Sequence, residues 1–185
     1  MQIETGRTLA GVGLFEDLDE AERHRLERRC TWRRYASGET VLERGSDSSE
    51  VLFIIDGAVN IVDFSLSGRE VAYATLRAGD CFGEIAAIDG QPRSASVVAT
   101  EKTLVAVLTS PEFLTVLKEH GEVTFKVLQR LSSMVRTGDV RIMELSTLAA
   151  TQRVYAEILR MAKPDAAVPD GVVRANWLEP GRGVP

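Results

Sequence analysis

The amino-acid sequence predicts an α+β protein in which an antiparallel β-sandwich or barrel is followed by helices. Short β-type runs cut by glycines occupy roughly residues 31–109, a pattern typical of antiparallel all-β folds. A helical pattern then begins at Ser110, where Pro111 and Glu112 complete a helix-start signal. Hydrophobic residues make up 44% of the 185 residues, which is enough to form a buried core.

An amphipathic helix is predicted before the β-rich zone. Its apolar residues recur at helical spacing among charges, and they are Leu14, Phe15, Leu18, Ala21 and Leu26. Asp19 is the predicted N-cap, and Glu22 stands three residues later, as in a capping box. We interpret Arg28–Arg29 and Arg33–Arg34 as a solvated helix end, and we expect this helix to cover a larger core.

Glycines divide the β-rich zone at short intervals. They are Gly38, Gly45, Gly57, Gly68, Gly79 and Gly90, and the last four are each eleven residues apart. Between them lie β-type runs at residues 40–42, 51–55, 59–64, 71–76, 95–99 and 104–108. Turn signals about every 8 to 12 residues between such runs indicate a sandwich or a barrel.

Three helices are predicted after the β-rich zone. Ser110 is the expected N-cap of the first, with Pro111 at its first position, and His120–Gly121 ends it. A longer helix begins at about Glu122. A third helix follows Thr151 and runs to about Lys163. The rest of the sequence is rich in proline and glycine, with short strand-like segments at Val172–Val173 and Trp177–Leu178.

The long helix carries apolar and small residues at alternating three- and four-residue steps, as in a heptad seam. The members of this seam are Leu128, Leu131, Val135, Gly138, Ile142, Leu145 and Ala149. Such a stripe can pack within one chain, or it can pair with the same helix of a second copy. Because the seam is narrow and long, we favour a homodimer.

Composition excludes several functional classes. The chain has 22 basic and 27 acidic residues, a net charge of −5, which excludes nucleic-acid binding by overall charge alone. It has no apolar run of about 18 residues and no signal-peptide pattern, so we expect a cytoplasmic protein without a membrane partner. The two cysteines and two histidines lack metal-site spacing. No nucleophile–base pair or paired-carboxylate site is evident, so an enzyme with catalytic residues is not expected.

The most informative segment runs from Phe82 to Ala95, with the sequence FGEIAAIDGQPRSA. Gly83 allows the backbone to approach a ligand closely, and the residues after it can form one helical turn. Arg93 supplies a planar cation suited to phosphate oxygens, Ser94 adds a hydroxyl donor, and Glu84 can accept from a sugar hydroxyl. The set would suit a phosphate ester joined to a ribose, although an ordinary helical turn explains the same residues.

This segment closely resembles the phosphate-binding cassette of cyclic-nucleotide-binding domains. The order of the zones resembles the cyclic-AMP receptor protein/fumarate–nitrate regulator (Crp/Fnr) superfamily of transcription factors. The resemblance implies an α+β fold in which an antiparallel double-stranded jelly roll is followed by a long dimerisation helix and the start of a winged helix-turn-helix domain. It divides the chain into a jelly roll with its amino-terminal helix (1–121), a dimerisation helix (122–149) and the first part of a truncated DNA-binding domain (150–185).

The resemblance also implies roles for individual residues. Gly83 and Glu84 would hold the ribose and the phosphate, Arg93 would pair with the cyclic phosphate, and Ser94 would contact the phosphate or the purine edge. The other ligand-binding positions expected in the cassette are Phe82, Ile85, Ala86 and Ala95. The implied ligand is cyclic AMP or cyclic GMP. The family's cysteine set for iron–sulfur clusters is absent and no histidine suits a haem, so no cofactor or metal is expected.

The sequence departs from cyclic-AMP-responsive members on the dimerisation helix. Where those members place adjacent threonine and serine against the adenine, this chain has Gly138 and Asp139, with Thr137 alongside. Thr137 can still reach a purine, and Asp139 can accept from an exocyclic amino group. Guanine carries such a donor, so cyclic GMP competes with cyclic AMP as the expected ligand.

The function implied is a ligand-gated regulator that re-aims helix-turn-helix domains. DNA and RNA polymerase are expected partners of a full-length protein but not of this chain, because its segment from Ala150 onward carries a net charge of only +1. The alternative is a constitutive regulator with a vestigial cassette, or one that answers another effector such as a cyclic dinucleotide. A regulatory module of a kinase or channel is a third reading, which the long helix and the further helix after it disfavour.

Overall fold

The computed structural model describes residues 7–64 and 70–161. The chain divides into two compact units, residues 1–129 and residues 130–185. The strands are β1 (Thr31–Tyr35), β2 (Thr40–Leu42), β3 (Val51–Asp56), β4 (Ala58–Phe64), β5 (Glu70–Arg77), β6 (Cys81–Phe82), β7 (Ser96–Ala99) and β8 (Thr103–Leu108). The α-helices are α1 (Glu20–Glu27), α2 (Glu84–Asp89), α3 (Ser110–Glu119), α4 (Gly121–Thr147) and α5 (Ala150–Met161), and a 3-10 turn spans Gly13–Phe15.

Two four-stranded antiparallel sheets form the first unit, with strand orders β1-β8-β3-β6 and β2-β7-β4-β5. Apolar side chains from both sheets meet between them in one buried cluster of Leu42, Leu52, Ile54, Val59, Phe82, Val97, Val105 and Val107. Burial of such side chains from water is the main force that holds the sheets together. The predicted α+β fold, with an antiparallel jelly roll followed by a long helix, is confirmed.

A second apolar layer lies on the other face of β3. Because successive strand residues point to opposite faces, Phe53 points away from the cluster that holds Leu52 and Ile54. Its ring centroid lies 4.9 Å from that of Phe15 and 6.4 Å from that of Phe113, and all three rings are buried. The amino-terminal segment therefore covers the core together with α3, as the sequence predicts.

Capping boxes define the starts of two helices. The predicted box at Asp19 and Glu22 is present at α1. The prediction that Ser110 caps α3 is wrong, because Thr109 is the N-cap and forms a box with Glu112. Thr109 adopts the extended backbone that an N-cap needs, and Ser110 is left free to donate its hydroxyl elsewhere.

Strands β1 and β6 are not predicted by the sequence. Arg33 and Arg34 lie in β1, so their interpretation as a helix end is wrong. All five β1 residues pair with β8, and this ladder outweighs the weak strand pattern of an arginine-rich edge. Strand β6 has two residues, too few to show any periodicity. The predicted turn at Gly68 and the strand scraps at residues 172–173 and 177–178 lie outside the described residues.

No helix of the described ranges is both long enough and apolar enough to span a membrane. The second unit contains the later part of α4 and all of α5 within its described residues. The assignment of residues 150–185 to the start of a winged helix-turn-helix domain stays a prediction.

Candidate ligand site

The predicted cassette connects β6 to β7. Its first residue, Phe82, ends β6 with its side chain in the buried cluster between the sheets, so its ring anchors the segment to the core. Gly83 follows with a φ of +87° and precedes α2. The predicted helical turn is thus present, and it begins directly at the glycine.

Gly83 lies where no larger residue fits. A Cβ atom built on it would lie 2.7 Å from Nη1 of Arg93 and 2.8 Å from the carbonyl oxygen of Glu50. Its left-handed backbone conformation is also costly for any residue that carries a Cβ. The close approach that the sequence predicts at Gly83 is therefore made, within the chain, by the Arg93 side chain.

The guanidinium of Arg93 is held by three acceptors. Nε donates to Oγ of Ser48 at 2.8 Å, Nη1 to the carbonyl oxygen of Gly83 at 2.9 Å, and Nη2 to the carbonyl oxygen of Glu50 at 2.7 Å. The residue is 3% exposed. Because a guanidinium has five N–H donors in a rigid plane, these bonds orient the fork and leave donor capacity for an anion.

The electrostatics of Arg93 are those of a buried cation between carboxylates. Burial lowers the pKa of the Arg93 guanidinium, and the nearby carboxylates of Glu50 and Glu84 oppose that shift. Arginine stays protonated in proteins, so the site keeps its positive charge. Glu84 is itself 3% exposed, which places both a buried cation and a buried acceptor beside Gly83.

Hydrogen bonds at α2 and at Arg93 fix the position of the cassette. The Arg93 amide donates to the carbonyl oxygen of Ser46 at 3.0 Å, and the Gly45 amide donates to the carbonyl oxygen of Arg93 at 2.8 Å. The Ser110 hydroxyl donates to the carbonyl oxygen of Ala87 at 2.9 Å. These bonds tie the cassette to the loop between β2 and β3 and to the start of α3.

Sequence reasoning missed Ser48 and Glu50. They lie more than forty residues before Arg93, in a polar stretch that carries no recognisable motif. Only the tertiary structure brings them to the guanidinium, because the loop that carries them leads into β3, and β3 pairs with β6 just ahead of the cassette.

The remaining predicted site residues have different surroundings. In the cassette Ser94 is exposed, Ile85 and Ala95 are half-buried, and Ala86 is buried. Thr137, Gly138 and Asp139 lie on α4 in the second unit. The Thr137 hydroxyl donates to the carbonyl oxygen of Ser133 at 2.9 Å, so its oxygen is available as an acceptor. Contact between these residues and a nucleotide stays a prediction.

Side chains that could bind a metal ion are dispersed over the described ranges. Within residues 7–64 and 70–161, no three His, Cys, Asp or Glu side chains cluster in a way that could hold a metal ion.

Burial, followed by the charges of Glu112 and Glu27, raises the pKa of the Cys30 thiol to about 12. That thiol is therefore protonated and unreactive near neutral pH.

Comparisons with known proteins identify a related domain and related regulators. Residues 32–120 match the family model described as a cyclic nucleotide-binding domain. The chain is 29% identical over 160 residues to the cAMP-activated global transcriptional regulator Vfr of Pseudomonas aeruginosa, a match that covers 83% of this chain and 75% of Vfr. It is 36% identical over 107 residues to a cAMP-dependent protein kinase regulatory subunit of Mycosarcoma maydis, covering 56% of this chain and 20% of that protein.

A solved structure supports the same assignment. The crystal structure of the Thermus thermophilus catabolite activator protein matches with a TM-score of 0.66 and 27% identity, covering 72% of this chain and 62% of that one. The match to the kinase regulatory subunit covers only a fifth of that protein, whereas the match to Vfr extends over most of both chains. Residues 32–120 therefore match a cyclic nucleotide-binding domain, and the relatives of the chain include Crp/Fnr-type regulators.

Proposed function

We propose that the cassette binds a cyclic mononucleotide and that the chain is the sensor of a transcription regulator without enzymatic activity of its own. The observation that carries the proposal is the Arg93 guanidinium, buried and oriented by the carbonyl oxygens of Gly83 and Glu50. A cyclic phosphate is a monoanion whose free oxygens suit charge-assisted bonds from such a fork. Glu84 supplies an acceptor for the ribose hydroxyl.

The identity of the base depends on other groups. Glu84 and Arg93 contact features that cyclic AMP and cyclic GMP share, so they do not discriminate between the two. We assign discrimination to Thr137, Gly138 and Asp139, where a carboxylate favours the N1–H and N2 donors of guanine. The relatives Vfr and the kinase regulatory subunit are both named for their response to cAMP, which keeps cyclic AMP as an equal candidate.

We further propose that α4 pairs with the α4 helix of a second copy. The predicted seam is too long at its end, because α4 stops at Thr147 and Ala149 lies beyond it. Four of the seam residues within α4, Leu128, Val135, Ile142 and Leu145, are each more than half exposed. Such a row of exposed apolar side chains on one helix is typical of an interface. The nucleotide would then favour one arrangement of the helix pair through its differential affinity for the two states, and in a longer protein this would re-aim DNA-binding domains toward DNA and RNA polymerase.

Isothermal titration of the chain with cyclic AMP and, separately, with cyclic GMP tests the proposed ligand. We expect saturable binding of one nucleotide, with tighter binding of cyclic GMP if Asp139 contacts the base. An Asp139→Ala variant should then lose that preference. Binding of neither would contradict the proposal and favour a constitutive regulator, whereas binding of a cyclic dinucleotide in place of both would identify the other-effector alternative.

Replacing Val135 with aspartate is expected to convert the dimer to monomers. An uncompensated charge buried in an interface costs about 3–5 kcal/mol, so dissociation should rise at least about a hundredfold in sedimentation equilibrium. Val140→Asp is the matched control, because Val140 is 53% exposed against 64% for Val135 but lies about 140° around the helix from it. Equal effects of the two substitutions, or none from Val135→Asp, would show that the seam is not the interface.

A further inference from the structure

The Glu50 carboxylate lies between two arginines from different parts of the first unit. Its Oε2 is 3.7 Å from Nη2 of Arg93, and its Oε1 is 3.2 Å from Nη2 of Arg33 on β1. The side chain of Arg93 is 2% exposed, whereas that of Arg33 is 47% exposed. One carboxylate therefore connects a buried cation in the candidate site with a cation at the surface.

The two contacts that Glu50 makes with Arg93 differ in kind. The backbone carbonyl of Glu50 accepts a hydrogen bond of 2.7 Å, which fixes where the guanidinium points. The carboxylate, at 3.7 Å, is too far for a strong hydrogen bond and contributes mainly its charge. Neutralising the side chain would therefore remove the charge and leave the three bonds that orient Arg93.

The charge of the Glu50 carboxylate affects how strongly the site can bind an anion. The charge of Arg93 is opposed by the two carboxylates of Glu50 and Glu84, so the three groups together carry a net negative charge. Arg33 brings the group to neutrality. A cyclic phosphate that enters the site must share Arg93 with Glu50. Its binding is most favourable when the Glu50 carboxylate pairs with Arg33 instead of Arg93.

We propose that Glu50 is a resident counter-ion that competes with the bound phosphate for Arg93, and that Arg33 sets the affinity for nucleotide by drawing Glu50 away. The inference rests on the proposed function, since it concerns the same phosphate site. It assigns a positioning role to two residues outside the cassette. It also makes β1, which lies at the edge of its sheet, a place from which nucleotide affinity can be tuned.

Titration of three variants with cyclic AMP and cyclic GMP tests the inference. Glu50→Gln should tighten nucleotide binding, by about fivefold to tenfold, because the competing charge is gone. Arg33→Gln should weaken it by about twofold to fivefold, the range of a partly exposed ion pair. In the double variant, the Arg33 substitution should have no further effect, because no Glu50 charge remains for Arg33 to draw away.

The controls separate this role from a structural one. Arg29→Gln breaks an ion pair with Glu112 whose N···O distance is 3.6 Å and whose side chains are about one third exposed, and it removes the same charge as Arg33→Gln. Glu101→Gln removes a carboxylate just before the first residue of β8. Glu50 lies near the other end of that strand, because its neighbour Val51 pairs with Leu108. Both should leave nucleotide affinity unchanged. A purely structural Glu50 would give weaker binding on substitution, never tighter binding.

The outcomes distinguish this inference from the proposed function. Absence of nucleotide binding by the unsubstituted chain would overturn both. Binding by that chain with unchanged or weaker affinity in Glu50→Gln, while its thermal unfolding stays cooperative, would overturn the inference alone. If Glu50→Gln does not fold, Arg33→Gln decides the matter, and unchanged affinity in that variant, at low and at moderate salt, would overturn the inference.

Discussion

Replacing Gly83 with alanine is expected to abolish measurable nucleotide binding and to destabilise the domain. The new Cβ would lie 2.7 Å from Nη1 of Arg93 and 2.8 Å from the carbonyl oxygen of Glu50, so the guanidinium and the backbone beside it must shift. The φ of +87° adds a backbone cost of about 1–2 kcal/mol for a residue with a Cβ, and forced repacking adds about 1–3 kcal/mol. Titration should show a loss of about a hundredfold or more, with a lower midpoint of thermal unfolding.

Gly90→Ala is the matched control for this experiment. Gly90 stands at the other end of α2 with a φ of +69°, and a Cβ added to it would meet nothing within 4 Å. The control therefore has a comparable backbone cost and no collision with Arg93. We expect Gly90→Ala to lower stability modestly and to keep nucleotide affinity. Similar losses of affinity in both variants would show that the contact between Gly83 and Arg93 has no special role in binding.

Replacing Arg93 with alanine is the second change with a large expected effect. It removes the charge-assisted contact to the phosphate, which should weaken binding by about 1.5–3 kcal/mol, or about tenfold to a hundredfold. It also removes the donor to the carbonyl oxygens of Gly83 and Glu50. Because these acceptors lose their partner, the free energy of unfolding should fall as well, and a thermal melt measures that separately from the titration.

A lysine at the same position separates charge from shape. Arg93→Lys keeps the positive charge but loses the planar fork, and a single ammonium nitrogen cannot occupy the three positions from which Nε, Nη1 and Nη2 donate. We expect affinity between that of the alanine variant and that of the unsubstituted chain. Arg29→Ala, which removes an arginine paired with Glu112, should leave affinity unchanged. Unchanged nucleotide affinity in Arg93→Ala would show that the cassette is not the phosphate site.

The sequence predicts an element correctly where the residues that determine it are close together in the chain. The capping box at Asp19 and Glu22 and the helical turn after Gly83 follow from neighbours within a few positions. The strands between the glycines were predictable for the same reason, because turn residues and β-branched runs act locally. The cassette itself could be recognised because its glycine, glutamate and arginine lie within one short segment.

Pairing between strands that are distant in the sequence produces elements that local patterns do not predict. Strand β1 has an arginine-rich pattern and forms because β8 offers it a ladder of five residue pairs. Here a neighbouring strand outweighs local preference, as is usual for short segments of weak pattern. The N-cap of α3 is a different case, because Thr109 and Glu112 form a local capping box and the signal was present in the sequence.

By itself, the sequence determined the fold class, the order of the β-rich and helical zones and the position of the cassette, because each rests on residues close together in the chain. The tertiary structure alone decided how the cassette is charged and held. Ser48, Glu50 and Arg33 are distant from Arg93 in sequence and reach the site only through the loop before β3 and the edge strand β1. Electrostatic balance depends on distance in space, and folding sets that distance without a local trace in the sequence.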